Sequence, residues 1–270
     1  MKKNLLSIAG YDPSGGAGVL LDIAVFERLG FHGYGALTAV TAQEPRRVAR
    51  VFPLPTRTVE EQFGRLAATT EFSGIKVGMM GTAANLKAVA RILARNKRVP
   101  RVVDPVFRST SGALLLEKKA WPRFLDALEG RADLITPNLD EAEVLTGRPV
   151  RSVAAMSLAA ERITLRSGIP CLVKGGHLRG QAVDVLYDGR ESTTFEHRRT
   201  AKDVHGTGCY LSSAILGHLA GGRPLEDACR RGIAEVEKAI RAAVPAGENR
   251  WAFGLSRSTG RERPTGRRRR

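Results

Sequence analysis

The sequence predicts an α/β fold: a mainly parallel central sheet with helices on both faces. Three observations carry that expectation. Short apolar runs alternate with helix-patterned segments along the chain, and glycine-rich turns follow several of the runs. The composition, 43% hydrophobic with only 6% aromatic residues and 29 glycines, suits a helix-and-sheet enzyme with many tight turns. At 270 residues the chain is long enough to bury a large core.

The elements follow in order. Leu5–Gly10 reads as a short buried strand, Asp12–Gly18 as a loop and Val19–Leu29 as a helix, the opening of a β-α-β unit. The loop lacks the G-x-G-x-x-G spacing of a dinucleotide fingerprint, and no G-x-x-x-x-G-K-[ST] occurs. Tyr34–Thr41 reads as a strand ending at Gln43, and Val59–Thr69 as a helix. Gly74–Gly78 is a strand, and Ala83–Ala94 a helix with Thr82 as its N-cap. Arg101–Pro105 is a strand whose end delivers Asp104, followed by a Ser/Gly loop through Gly112. Trp121–Leu128 reads as helical, Ala132–Thr136 as a strand, and Asn138 opens a helix through Leu145. Val153–Arg166 is a helix and Pro170–Lys174 a strand. Ala182–Tyr187 and Ser192–His197 form a hairpin around Asp188-Gly189, and helices follow near Tyr210–Ala220 and Leu225–Ala243. One doubly wound domain is expected over residues 1–247, with a basic, disordered tail over 248–270.

Composition excludes several classes. No run of eighteen apolar residues is present to span a membrane, and the apolar stretch after Met1-Lys2-Lys3-Asn4 is too short for a signal peptide. Cys171, Cys209 and Cys229 lie far apart without a CxxC pair. That argues against zinc and a disulfide framework, and for a reducing cytoplasm. The net charge is +16, but residues 257–270 hold seven Arg and one Glu and so account for +6 of it. Without aromatic interleaving or a reading helix, the excess predicts loose attraction to polyanions and no specific nucleic-acid binding.

The chemistry concentrates at the strand ends. His205-Gly206-Thr207-Gly208-Cys209 runs into Leu211–Leu216, a tight turn opening a helix. A helix start leaves backbone N–H groups unpaired and carries about half a positive charge, and glycines let an anion come close to main chain. The same field is expected to favour the Cys209 thiolate. Loops at Gly10–Gly18, Gln43, Asp104–Gly112 and Asn138–Glu141 should converge on one crevice. Asn138 and Glu141 have capping-box spacing, and Glu141 is alternatively a carboxylate for Mg2+. Lys174-Gly175-Gly176-His177 sets a cation and two glycines after a strand, a plausible phosphate neighbour; His177 reads as a loop hydrogen-bonder.

Taken together, these residues carry a resemblance. Ala9-Gly10-x-Asp12-x-Ser14-Gly15-Gly16-Ala17-Gly18, Thr41-Ala42-Gln43, Gly78-Met79, Asp104-Pro105-Val106 and Ser111-Gly112 occur in that order. Thr136-Pro137-Asn138-x-x-Glu141-Ala142, Val173–His177, Asp184–Asp188 and His205–Cys209 complete the series. Over residues 5–240 the chain resembles the hydroxymethylpyrimidine/phosphomethylpyrimidine kinases of thiamine biosynthesis, members of the ribokinase-like superfamily. The resemblance implies a three-layer α/β/α sandwich that uses ATP and Mg2+. It implies phosphorylation of 4-amino-5-hydroxymethyl-2-methylpyrimidine and then of its monophosphate. By that likeness Gly206, Thr207 and Gly208 form the anion hole and Cys209 takes the proton of the attacking hydroxyl. Gln43 reads the pyrimidine edge, Gly10, Met79 and Val106 line its pocket, and Asp22 sits by the loop that shapes it. Lys174 and Asn138 lie on the nucleotide side, Asp104 and Glu141 around Mg2+. A homodimer is expected as well. The chain departs from the family pattern at Tyr11, Phe107-Arg108, Tyr210 and Ile233. A pyridoxal/pyridoxine kinase of the same superfamily, or a non-catalytic pyrimidine-binding module, are the alternatives.

Overall fold

Central strands whose residues are buried on both sides need helices on both faces of the sheet. The computed structural model of the protein describes residues 2–44, 47–176, 178, 182–198, 202–245 and 251–254, and it has that form. β1 (Asn4–Tyr11), α1 (Gly18–Arg28), β2 (His32–Glu44), β3 (Arg47–Pro53) and α2 (Thr56–Ala67) come first. β4 (Gly74–Val77), α3 (Ala83–Arg95), β5 (Arg101–Val103), α4 (Phe124–Leu128) and β6 (Leu134–Ile135) follow. Then come α5 (Leu139–Thr146), α6 (Val153–Ser167), β7 (Cys171–Lys174), β8 (Ala182–Tyr187) and β9 (Ser192–His197). α7 (Thr207–Ala220), α8 (Leu225–Arg241), β10 (Val244–Pro245) and β11 (Trp251–Ala252) close the series.

The main sheet runs β3-β2-β1-β4-β5-β6-β7-β8-β9. Its pairs from β2 through β7 are parallel, and β3, β8 and β9 pair antiparallel. Strand alternation sorts the core into two layers. Leu6, Ile8, Ile75, Val77 and Val103 pack with Leu86, Val89 and Leu93 of α3 and Ile163 of α6. Leu5, Val102, Leu134 and Leu172 pack with Phe26 of α1, Leu211 and Ile215 of α7 and Ala228 of α8. β1 has β2 on one side and β4 on the other, so the direction of winding reverses there and a crevice opens past its carboxyl end.

Four expectations need correction. β3 was not foreseen: its sequence, RVARVFP, interrupts the apolar residues with arginines, and it lies at the sheet edge against β2. The helix expected over Trp121–Leu128 is a 3-10 turn, Lys118–Arg123, followed by the short α4. Pro122 lies inside that turn and lacks the N–H an α-helix would use. α7 begins at Thr207, ahead of the expected Tyr210, so the glycines and Cys209 belong to its first turn. Within the expected tail, β11 pairs with β10 and Phe253 is buried against Tyr210. The Arg-rich run 257–270 and His177 lie outside the described residues. The Thr82 cap is present, its side chain accepting the Asn85 N–H at 3.1 Å.

Beneath the crevice lies a buried ion pair. Lys76 of β4 donates to both carboxylate oxygens of Asp22 on α1, at 2.9 and 2.8 Å, and both side chains are fully buried. Ser7 of β1 and Ser213 of α7 donate to the same carboxylate at 2.5 and 2.8 Å. Burial alone would lower the Lys76 pKa, but the Asp22 charge and hydrogen bond, with Cys209 and Asp104, together outweigh it and the ammonium is held firmly protonated. Removing one partner of such a pair strands a buried charge. Lys76→Met should therefore cost about 3–5 kcal/mol in urea unfolding, with Asp22→Leu added costing less than the sum of the two single changes. A loss under about 1 kcal/mol would mean that the pair carries little of the stability.

Candidate active site

Two glycine loops meet at the carboxyl end of β1. In the first, Gly18 has φ +61° and a side chain there would run into the Gly10 carbonyl. In the second, Gly206 has φ +82° and a side chain would collide with the Gly16 carbonyl. Both positions therefore require glycine for conformation and for space. Asp12 pins the contact. Its Oδ1 accepts the N–H and hydroxyl of Ser14 at 2.8 and 2.7 Å, and its Oδ2 lies 3.1 Å from Nε2 of His205. Burial would raise the Asp12 pKa, but the bonds from His205 and Ser14 prevail and hold it below the usual carboxylate range.

The second loop is the start of α7. Gly206 is its N-cap and offers no side chain, so the N–H groups of the first turn stay available to an anion. Lys174, at the end of β7, stands over that turn: a Cβ on Gly208 would lie 3.0 Å from its ammonium and 3.7 Å from Oδ2 of Asp104. The ammonium pairs with Oδ1 of Asp104 at 2.6 Å, and Thr136 donates to the same oxygen at 3.1 Å. Burial works against the charged lysine, yet Asp104 and Glu141 hold its pKa above the ordinary value.

Asn138 and Glu141 form the capping box of α5. Asn138 Oδ1 accepts the Glu141 N–H at 2.9 Å, and Glu141 Oε2 accepts the Asn138 N–H at 2.8 Å. Asn138 Oδ1 is thus used by the cap, which leaves the amide NH2 as the donor it can offer a ligand. Glu141 is also part of the charged cluster: burial pushes its carboxyl up to about 8, Lys174 opposes that shift, and Asp104 adds to it. No group of three or more His, Cys, Asp or Glu side chains suited to a metal occurs among the described residues. Asp104 and Glu141 become the two-carboxylate donor set that Mg2+ takes, with water and phosphate oxygens completing its shell, once Glu141 gives up its proton, a loss the cation's charge favours.

Met79 packs with Ala39, Leu115 and Val106 in a small apolar cluster. Gly10 opens onto it, since a Cβ there would lie 2.6 Å from the Met79 sulfur. Gln43 is half-buried near the end of β2, on the same strand face as Ala39 and beyond the last β1 pairing, Tyr11 with Val40. A cleft of about 700 Å³ runs from Lys174, Thr207 and Gly208 to Ile233, Val236 and Ile240 of α8. Ile233 thus puts an apolar wall in it.

Two expected roles change. Asp22 does not reach the pocket: its carboxylate is fully buried and bonded to Lys76, Ser7 and Ser213 below the crevice floor. Lys76 and the Asp12–His205 pair are the residues that sequence reasoning missed. A lone lysine among apolar residues in Gly74–Val77 was the available signal for Lys76. The Cys209 thiolate is not favoured either. Burial pushes its thiol up to about 11, with Asp22 and Asp104 adding while Lys76 and the Gly18 N–H pull it down. Desolvation therefore outweighs the help from Lys76 and the Gly18 N–H.

Solved structures with this architecture are ribokinase-like kinases of small molecules, and the chain is a phosphotransferase of that class. Residues 12–253 match the family profile described as phosphomethylpyrimidine kinase, and the chain belongs to that family. It is 36% identical over 245 residues to the hydroxymethylpyrimidine/phosphomethylpyrimidine kinase of Aquifex aeolicus, covering 90% of this chain and 96% of that one. The phosphomethylpyrimidine kinase structure from Clostridium difficile superposes with a TM-score of 0.78 at 32% identity, covering 88% of this chain and 100% of that one. The Staphylococcus aureus pyridoxal kinase in complex with AMP-PCP gives 0.85 at 28% identity, covering 96% of each.

A thiol with a raised pKa is alkylated slowly at neutral pH, because only the thiolate attacks. Iodoacetamide modification of Cys209 should keep accelerating as pH rises past about 9, followed by peptide mass spectrometry, while buried Cys171 and Cys229 stay unmodified. A rate that levels off below about pH 8 would contradict the burial-dominated thiol.

Proposed function

We propose that the protein transfers the γ-phosphoryl group of ATP to the hydroxymethyl oxygen of 4-amino-5-hydroxymethyl-2-methylpyrimidine, and a second one to the resulting monophosphate. The observation that carries this reading is the meeting of the two glycine loops: the first turn of α7 lines the Lys174 cleft, and the loop packed against it leads back to Gly10, which borders the Met79 cluster. A flat heteroaromatic ring on Gly10, Met79 and Val106, with Gln43 at its polar edge, would turn its hydroxymethyl group toward Gly206–Cys209. Triphosphate in the cleft would approach the same turn from the Lys174 side.

In the first transfer the substrate oxygen bonds to the γ-phosphorus, the bond from that phosphorus to the β,γ-bridging oxygen breaks, and ADP leaves. Charge on the migrating phosphoryl oxygens is met by the first-turn N–H groups and by the Lys174 ammonium. Asp104 holds that ammonium in place. Mg2+, when bound, would neutralise phosphate charge, and Asp104 and Glu141 are the residues that would hold it. Cys209 accepts the hydroxyl proton. With its conjugate acid near 11, Cys209 is a base whose active fraction grows with pH. A homodimer belongs to this reading, supported by the exposed edge strand β3 with Phe52 at its surface. So does a cytoplasmic location, supported by three free cysteines.

Phosphorylation of pyridoxal is the second reading, and the superposition on the Staphylococcus aureus pyridoxal kinase favours it. A coupled ATPase assay separates the two. The pyrimidine alcohol and its phosphate should each be turned over with higher kcat/KM than pyridoxal, and the opposite order would overturn the pyrimidine assignment. Cys209→Ala should bind both substrates and lose about 10²-fold or more in kcat, and should abolish the rise of kcat between about pH 7 and 10. Unchanged turnover would remove Cys209 from the reaction.

A further inference from the structure

The stretch that leads into the anion turn, Lys202–Val204, is held from outside the sheet by Trp251. The Trp251 N–H donates to the Asp203 carbonyl at 3.3 Å, and Val204 and Trp251 form a parallel bridge. The Lys202 ammonium lies 4.2 Å from the centre of the Trp251 ring. The same ammonium donates to the carbonyls of Arg241 and Ala243 at 2.8 and 3.1 Å, at the negative end of α8's dipole. Two residues beyond Trp251, Phe253 packs on Tyr210 with ring centres 4.8 Å apart, and Tyr210 directly follows Cys209 in α7.

We propose that Trp251 and Phe253 are positioning residues for nucleotide binding, bracing the Lys202–Val204 loop and the first turn of α7 from behind. Lys202, Asp203 and Val204 line the same cleft as Thr207 and Gly208. Trp251 stands behind that loop and acts on the cleft through it. A loop ordered in advance does not have to be ordered by the ligand, so affinity improves without any contact from the brace itself. The brace faces the nucleotide side only; the apolar cluster of Met79, Ala39 and Leu115 contains neither aromatic residue. It therefore predicts separable effects on the two substrates. The Tyr210 departure from the family pattern falls within the same packing, against Phe253. This inference rests on reading the cleft as the nucleotide site.

The test uses the full chain and ADP as the probe, with titration calorimetry on the parent, Trp251→Ala and Trp251→Phe. Trp251→Ala should weaken ADP binding by about 5-fold or more, the scale of one lost cation–π contact, while affinity for the pyrimidine alcohol is unchanged. Trp251→Phe keeps a ring beneath Lys202 and should recover most of the loss. Unchanged ADP affinity in Trp251→Ala overturns the brace alone, as does a parallel loss of pyrimidine affinity, which would mark general destabilisation. A parent chain that binds no ADP overturns the nucleotide reading of the cleft, and the brace with it.

Discussion

Main chain lies against main chain where α7 meets the first glycine loop. Gly206 sits in a left-handed conformation with the Gly16 carbonyl where its side chain would be, and Gly18 stands in the same relation to Gly10. Because nothing intervenes, the positive end of α7 reaches the crevice beside β1, where a parallel sheet gathers its strand-end loops. Lys174 and Asp104 are useful because that helix start is there for them to flank. A methyl group at either glycine would separate the parts of the site.

Such an approach needs support from below, and the buried Asp22–Lys76 pair supplies it. One carboxylate receives bonds from β1, β4 and α7, and it is itself carried on α1. These elements carry the two glycine loops and the floor between them. A fully buried ion pair is a weak source of stability compared with apolar packing of similar volume. Its geometric value is that it fixes the lateral position of two helices over two strands. It also leaves an ammonium near the Gly78 backbone, since a Cβ on Gly78 would lie 2.9 Å from Lys76 Nζ. That charge partly opposes the desolvation of Cys209.

The sheet order and the crevice were legible because each parallel strand is a short, doubly buried apolar run followed by glycine or a carboxylate. β1, β4, β5 and β7 all read that way. β3 was not, because an edge strand with one solvated side carries arginines and loses the periodic signal. The convergence of Gly10–Gly18 with His205–Cys209 followed from topology. The ionisation of Cys209 did not, since it depends on how much water packing leaves around the sulfur, which local spacing does not record. The role of Asp22 came only from the family resemblance, and its burial against Lys76, a residue 54 positions further along the chain, is not recorded by local spacing. The brace from Trp251 was hidden by the polar residues around it, which read as tail.

The central claim is that a phosphoryl group in flight is held by the first turn of α7, between the Met79 pocket and the Lys174 cleft. A crystal structure with ADP, a planar metal-fluoride mimic of the phosphoryl group and the pyrimidine alcohol tests it most directly. The arrangement predicts mimic atoms about 3 Å from backbone nitrogens of Gly206–Cys209, with the alcohol oxygen facing them from the Met79 side. A mimic bound away from that turn, or a pyrimidine ring lodged in the cleft beside Ile233, would contradict it.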